Sequence, residues 1–232
     1  MYTFWKKALK AVSIINKNSE QLIEQLLNNF KKYNYLDASH IPKIDLYMDQ
    51  VTTFMDEHLD ILKRKDEDKT LTKTMINNYS KFHLLPPTAK KKYSRNHILL
   101  LLFIFYLKPT LSIPDIGAIL TPLQKIVFKN DSDVSLEGFY NVLAKAQLDH
   151  FDGFSHQVLE TVQVSQSLFP EGSSKDSETL SIISTIYMLS LQASMQKNLA
   201  AHLIDHYLKP MEVAKEKDSK RADKKDKSKT IK

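Results

Sequence analysis

Residues 75–120 read MINNYSKFHLLPPTAKKKYSRNHILLLLFIFYLKPTLSIPDIGAIL, and the order of signals within them decides the fold. Just upstream, Thr72 is placed to cap a helix, with Leu71 before it and Ile76 after it spaced as a hydrophobic staple. That helix is expected to run to about Leu85, where Pro86 and Pro87 stop it by removing N–H donors and crowding the preceding backbone. A short basic stretch, Thr88 to Tyr93, follows. Ser94 then caps an apolar helix ending at Leu107. Ser112 caps another, with Asp115 in the capping-box position and Leu111/Ile116 spaced as a second staple.

Upstream, Pro42 breaks the chain and a helix is expected from about Leu46 to Leu62. Its apolar positions Val51, Phe54, Met55, Leu59 and Leu62 recur at three and four residues. The string from Lys63 to Thr70 offers nothing to bury and reads as a charged connector. Residues 1–40 read as an N-terminal helical segment, with Ser19 as a cap and Leu22, Ile23, Leu26, Leu27 and Phe30 on one stripe. Downstream, two long amphipathic segments at about 136–168 and 178–208 flank Pro170–Ser177, which holds both a helix stop and a cap. An antiparallel helical hairpin is expected there. Phe139, Val142, Leu143, Ala146, Phe154, Val158 and Val162 form the apolar stripe of its first helix. Ile182, Ile183, Ile186, Leu189, Met195, Leu199 and Leu203 form that of the second.

No alternating strand pattern occurs; at most two short strands flank the basic stretch at 86–93. The fold class is therefore all-α, with a module at 41–130, the hairpin at 131–210 and a basic tail at 211–232 expected to be disordered.

Composition excludes much. The 232 residues contain no cysteine, which removes disulfides and thiolate chemistry and suits a cytoplasmic location. The four glycines are scattered, so a phosphate-cradling glycine loop is not formed. The longest apolar run, Ile98 to Leu107, is far short of the roughly 20 residues a bilayer span needs. Lys6, Lys7 and Lys10 interrupt any signal-peptide stretch after Phe4 and Trp5. The formal charge of +6 is concentrated in the tail, where nine basic residues face four acidic ones between Lys215 and Lys232. Charge alone therefore does not make the folded body a nucleic-acid binder.

The order of capped helix, Leu-Leu-Pro-Pro, basic turn, Tyr-Ser, apolar helix and Leu-Ser-Ile-Pro-Asp-Ile resembles the MerR-type winged helix-turn-helix. Together with LYMDQVTTFMDEHL at 46–59, it is similar to an uncharacterised bacterial family of domains of unknown function carrying that module, over about residues 40–150. The resemblance implies a recognition helix at 72–84, a wing at 86–93 and supporting helices at 95–107 and 113–120. Tyr79 stands where such modules have a tyrosine of the recognition helix, and Lys91 where the wing carries a basic phosphate contact. The chain departs from the pattern at three places. Asn77 and Asn78 replace an Arg-Tyr pair, the wing has no glycine, and the connector at 63–70 is long for the turn of the motif.

Within this frame Lys73, Asn77 and Lys81 share the outward stripe of the helix, with Thr74 and Asn78 beside them. Lysine suits guanine or phosphate, and asparagine can pair with adenine. Lys90, Lys91 and Lys92, with Arg95 just beyond, form the densest positive cluster outside the tail, which favours an anionic partner. Any soluble helix also needs a solvated face, and a lysine turn also solubilises, so the plainer readings stand beside these. His202 and His206 share a helix face near Asp205. Leu203 stands where the zinc-peptidase pattern needs glutamate, so no metal site is assigned. No nucleophile, base and oxyanion donor are aligned, so the chain is read as a non-enzyme without cofactor.

The expected partners are double-stranded DNA, a second copy of the chain and an unidentified small-molecule effector, with no membrane. The alternative is a helical protein-interaction module that keeps the fold without binding DNA.

Overall fold

The computed structural model describes residues 19–33, 36–59, 70–129, 132–170 and 176–210. Along them run α1 (Ser19–Tyr33), a 3-10 turn (Ala38–His40), β1 (Leu46–Tyr47), α2 (Met48–Leu59), α3 (Lys73–Lys81), β2 (Lys92–Tyr93), α4 (Arg95–Leu107), α5 (Ile113–Val127), α6 (Leu136–Leu168) and α7 (Ser177–Leu203), continued by one π turn (Ile204–Leu208). The expectations for residues 1–18, for the connector through Lys69 and for the tail from Met211 lie outside the described residues.

The Ile98–Leu107 run owes its composition to position. Ile98, Leu99, Leu100, Leu101, Leu102 and Ile104 are all buried, so α4 is apolar on every side because protein surrounds it, not lipid. No described helix is long and apolar enough to cross a membrane. Around α4 gather α5, α6 and β2. Into the same core α2 sends Val51, Phe54, Met55 and Leu59, and α3 sends Ile76 and Tyr79.

The polar ends of these helices are closed locally. The Ser112 hydroxyl accepts from Asp115 N–H at 3.3 Å and donates to its carboxylate at 2.6 Å. Lys209 adds a contact to the same carboxylate at 3.3 Å. The Asp115 carboxyl is held below its ordinary value chiefly by the Ser112 hydroxyl. α5 continues to Val127, beyond the Leu120 expected, despite Pro122. The proline removes one intrahelical hydrogen bond, and buried Leu120 and Val127 hold the helix on either side of it.

The antiparallel hairpin of α6 and α7 is present, but of the expected apolar stripes only Val158 and Val162 are buried. Gln192 Nε2 donates to Thr161 Oγ1 at 3.2 Å and Ser165 Oγ lies 3.5 Å from Met188 sulfur, which fixes the register. The buried contact uses Thr161, Ser165, Ser177, Ser181 and Thr185, with Val158 and Val162 alongside. Three of these hydroxyls donate to the carbonyl one turn back, Thr161 to Gln157, Ser165 to Thr161 and Thr185 to Ser181, so small polar residues are buried at little cost. The large apolar side chains Ile182, Ile183, Ile186, Met195, Leu199 and Leu203 are exposed, as are Val142 and Phe154 of α6. On α1 the stripe is likewise only partly buried, with Leu27 inside and Phe30 half exposed.

Candidate nucleic-acid interface

α3 starts as its sequence requires. The Thr72 hydroxyl accepts from Met75 N–H at 3.2 Å, and Leu71 and Ile76 are buried together. Ile76 and Tyr79 face the core, which leaves Lys73, Thr74, Asn77, Asn78, Ser80 and Lys81 exposed. The helix stops at Lys81, earlier than the Pro86-Pro87 pair. Phe82 N–H reaches Asn78 O at 2.9 Å, His83 N–H reaches Ser80 O at 3.1 Å and Leu84 N–H reaches Tyr79 O at 2.9 Å. The last two bonds make a Schellman closure whose left-handed position, φ 56, is occupied by His83 instead of glycine. This closure decides the placement of Phe82. Three residues after the buried Tyr79, it would share the inward face of a longer helix, but it sits past the helix end and is 63% exposed.

The wing is built differently from a self-contained hairpin at 86–93. β2 pairs antiparallel with β1, Leu46 opposite Tyr93 and Tyr47 opposite Lys92, while Ala89 bridges Lys92 across a tight turn. Lys92 N–H donates to Ala89 O at 2.9 Å. The two residues inside the turn, Lys90 and Lys91, have φ of 50 and 59. Two consecutive positive φ values are those of a type I′ turn, normally given to Asn-Gly or Gly-Gly. The missing glycine of the wing is thus replaced by two lysines held left-handed, at a cost of about 1–2 kcal/mol each.

His97 fastens this wing to α4. Its Nε2 lies 3.1 Å from Pro86 O, a group that only accepts, so Nε2 carries the proton. Nδ1 then accepts from Ser94 N–H at 3.1 Å, with the Ser94 hydroxyl at 2.8 Å from the same nitrogen. Burial pushes the imidazole pKa down and keeps it neutral. On the other side Gln124 Nε2 donates to Leu84 O at 3.2 Å, so α5 holds the segment leaving α3.

The nine residues expected at the interface fall into three groups. Asn77 and Lys91 line one groove of about 530 Å³ between α3 and the wing. Thr74, Asn78, Lys81 and Lys90 are exposed on α3 and the turn. The remaining three have partners within the chain. Lys73 forms an ion pair with Asp49, and Lys92 Nζ lies 5.0 Å from the Tyr47 ring centroid. Arg95 is turned into the body, where it donates to both carboxylate oxygens of Glu137 and to the carbonyls of Ala38 and Ile41. Its side chain, only 19% exposed, joins α4 to α6 and to the turn at 38–41.

Ser80, His83 and Thr88 also line the groove, which the sequence reading did not identify. Ser80 and Thr88 carry no sequence signal beyond polarity. His83 acquires its place only through the early helix closure. At the end of α7 the His202 and His206 rings stack 5.9 Å apart. Among the described residues no three metal-ligating side chains converge.

Residues 36–143 match the family model described as Domain of unknown function (DUF1836). The match begins at Leu36, whose carbonyl accepts the Tyr140 hydroxyl at 2.6 Å near its other end. The matched span contains β1 through α5 and the start of α6, and this hydrogen bond joins its two ends. The chain matches no curated protein and no solved structure.

Proposed function

We propose that this protein is a cytoplasmic transcription regulator that binds double-stranded DNA through a MerR-like winged helix-turn-helix formed by residues 41–130. The observation that carries the reading is that Asn77 on α3 and Lys91 on the wing line the same groove. A helix presenting Lys73, Asn77 and Lys81 outward can enter the major groove while the turn meets the flanking phosphates. The β1–β2 pairing and the His97–Pro86 bond support it, because they hold the turn rigidly beside the helix.

The working species in this reading is a two-fold dimer through α7. That helix is about 40 Å long at 1.5 Å per residue. It exposes Ile182, Ile183, Ile186, Tyr187 and Leu191 over one half and Met195, Leu199 and Leu203 over the other. Such a stripe paired with its copy buries on the order of 1,000 Å², near the lower bound for a stable interface. Two copies would present two α3 helices to the half-sites of an inverted repeat. A small-molecule effector acting on the hairpin belongs to the same reading.

Selection of bound duplexes from a random library tests the proposal, with enrichment of an inverted repeat expected. Recovery of unenriched sequence would contradict sequence-specific binding. One observation favours the alternative of a protein-interaction module: Lys73 is already paired with Asp49, and Phe82 stands exposed at the end of α3. Under that alternative the chain binds no duplex, and α3 with Phe82 contacts a protein.

A further inference from the structure

Two of the eight histidines stand together at the end of α7. His202 and His206 are both exposed, with ring centres 5.9 Å apart and planes at 15°. A spacing of four puts them on one helix face. The turn that carries them is not an α turn, because Lys209 N–H donates to Ile204 O, five residues back. Such wide turns are rare in helices and recur at functional sites. This one is anchored. Ile204 is buried, and Lys209 Nζ joins Asp205 at 2.6 Å and Asp115 of α5 at 3.3 Å. The carboxylate between the two histidines in sequence is thereby engaged by a lysine. Both imidazoles remain without a hydrogen-bond partner among the described residues, whereas His58 and His97 commit ring nitrogens to Phe54 O and Pro86 O.

An ion held about 2.0–2.1 Å from one nitrogen of each ring sets the ring centres about 5–6 Å apart. The observed separation of 5.9 Å meets that requirement. Imidazole suits zinc, nickel and copper, while magnesium and calcium take oxygen donors. Leu203 excludes the zinc-peptidase arrangement, whose glutamate serves as a base, but a chelate of two imidazoles needs no such residue.

We propose that His202 and His206 chelate one divalent transition-metal ion of the zinc, nickel and copper class, with water in its remaining positions. Both donors come from consecutive turns of one helix, so the backbone preforms the site and rotation of exposed side chains aims the nitrogens. Bound there, the ion clamps the π turn. Through Ile204 and the Lys209–Asp115 pair it also steadies the seating of α7 on α5. The site is independent of DNA binding, since no residue of α3 or the wing takes part.

The test is calorimetric titration of the full chain, carrying no histidine tag, with zinc chloride and with magnesium chloride. One zinc ion per chain and no magnesium binding are expected. His202→Gln and His206→Gln should each weaken zinc binding roughly ten-fold or more, since the second donor of a chelate binds intramolecularly. Both side chains are exposed, so glutamine at either position should leave the fold intact, which circular dichroism checks. The comparison variant combines His40→Gln with His58→Gln, a second histidine pair whose rings lie 6.3 Å apart at 51°. It should bind zinc as the native chain does. Zinc should also slow amide exchange from Leu203 to Lys209 in the native chain and leave it unchanged in His206→Gln. Zinc affinity unaltered in both α7 variants would overturn the proposal, as would a loss confined to the His40 and His58 variant. Slowed exchange elsewhere in the chain, with none from Leu203 to Lys209, would overturn the clamp.

Discussion

Arg95 and Glu137 meet side by side, Nε on Oε2 at 2.8 Å and a terminal nitrogen on Oε1 at 2.7 Å, joining the start of α4 to the start of α6. The paired geometry is the one only arginine offers a carboxylate. The same guanidinium closes the carbonyls of Ala38 and Ile41, so a single side chain ties three parts of the matched domain together. Arg95→Lys is therefore expected to lower stability by about 1.5–3 kcal/mol, the range for hydrogen bonds to charged groups. Its DNA salt slope should remain that of the native protein. Chemical denaturation with anisotropy in parallel checks both, and a changed slope with unchanged stability would place Arg95 at the DNA.

Acid stability follows from the same pair. Arg95 hydrogen bonding holds the Glu137 carboxyl below its ordinary value of 4.5. A carboxyl with a lowered folded-state pKa contributes stability that is fully present above its unfolded value and lost as pH falls through the folded one. Stability should begin to decline below about pH 4.5. The decline should be shallower in Glu137→Gln, read by denaturation midpoints over a pH series.

His97 sets a second, milder pH window. The fold needs its Nδ1 as an acceptor for Ser94 N–H, and burial lowers its pKa from the ordinary 6.5. Below that pH the unfolded chain takes up a proton that the folded chain resists, so stability falls by at most about 1.4 kcal/mol per pH unit. His97→Gln should remove the slope between pH 7 and 5.5. It should also speed amide exchange around Pro86–Lys92, because the wing loses its fastening. A slope unchanged in the variant would assign it to another histidine.

The lysine turn predicts opposite signs for stability and binding. Lys90→Gly should stabilise the fold by about 1 kcal/mol, since glycine adopts positive φ freely. Lys90→Ala, which loses the same charge but keeps the strain, should not stabilise it. Both should weaken DNA binding, and the triple alanine variant of Lys90, Lys91 and Lys92 should flatten the salt slope by about two units. The figure is two because the Lys92 ammonium already rests against the Tyr47 ring. Base reading is separate. Asn77→Ala should cost about 1–3 kcal/mol on a cognate site and little on random duplex.

What was legible in the sequence was local. Thr72, Ser112 and Ser135 each cap a helix through an N–H three residues on, so a few letters suffice to place α3, α5 and α6. The burial of Ile98 to Ile104 in α4 was legible for the same reason, from a run of apolar residues bounded by a cap. The β1–β2 pairing was not, because two strands of two residues have no period and lie far apart in the chain. The end of α3 was misplaced because a left-handed histidine closes it before the prolines can. The hairpin contact was hidden for a chemical reason. Serine and threonine satisfied by carbonyls of their own helix can be buried, while in a sequence they read as surface. Of the candidate interface, residue types and helix face were legible, whereas the diversion of Arg95 into the body depended on Glu137, 42 positions away.

The large apolar side chains that this packing leaves outside make the assembly state testable. Sedimentation equilibrium on the chain truncated after Pro210 should give twice the single-chain mass at micromolar concentration. Ile186→Lys with Leu199→Lys, both at exposed positions, should return it to the single-chain mass without unfolding. A single-chain mass for the unaltered sequence would assign those side chains to contacts within one chain.

DNA binding itself is tested most directly by fluorescence anisotropy of the full chain on a labelled random-sequence duplex from 50 to 200 mM salt. Lys81, Lys90 and Lys91 are the exposed cations without an assigned partner on α3 and the wing, which predicts a slope of log K against log salt near −3 for one module. A two-fold dimer should approach −6. The same isotherms should be insensitive to Arg95→Lys. Failure to reach saturation at 50 mM salt, or an affinity indifferent to salt, would contradict the account and leave the exposed face of α3 to a protein partner.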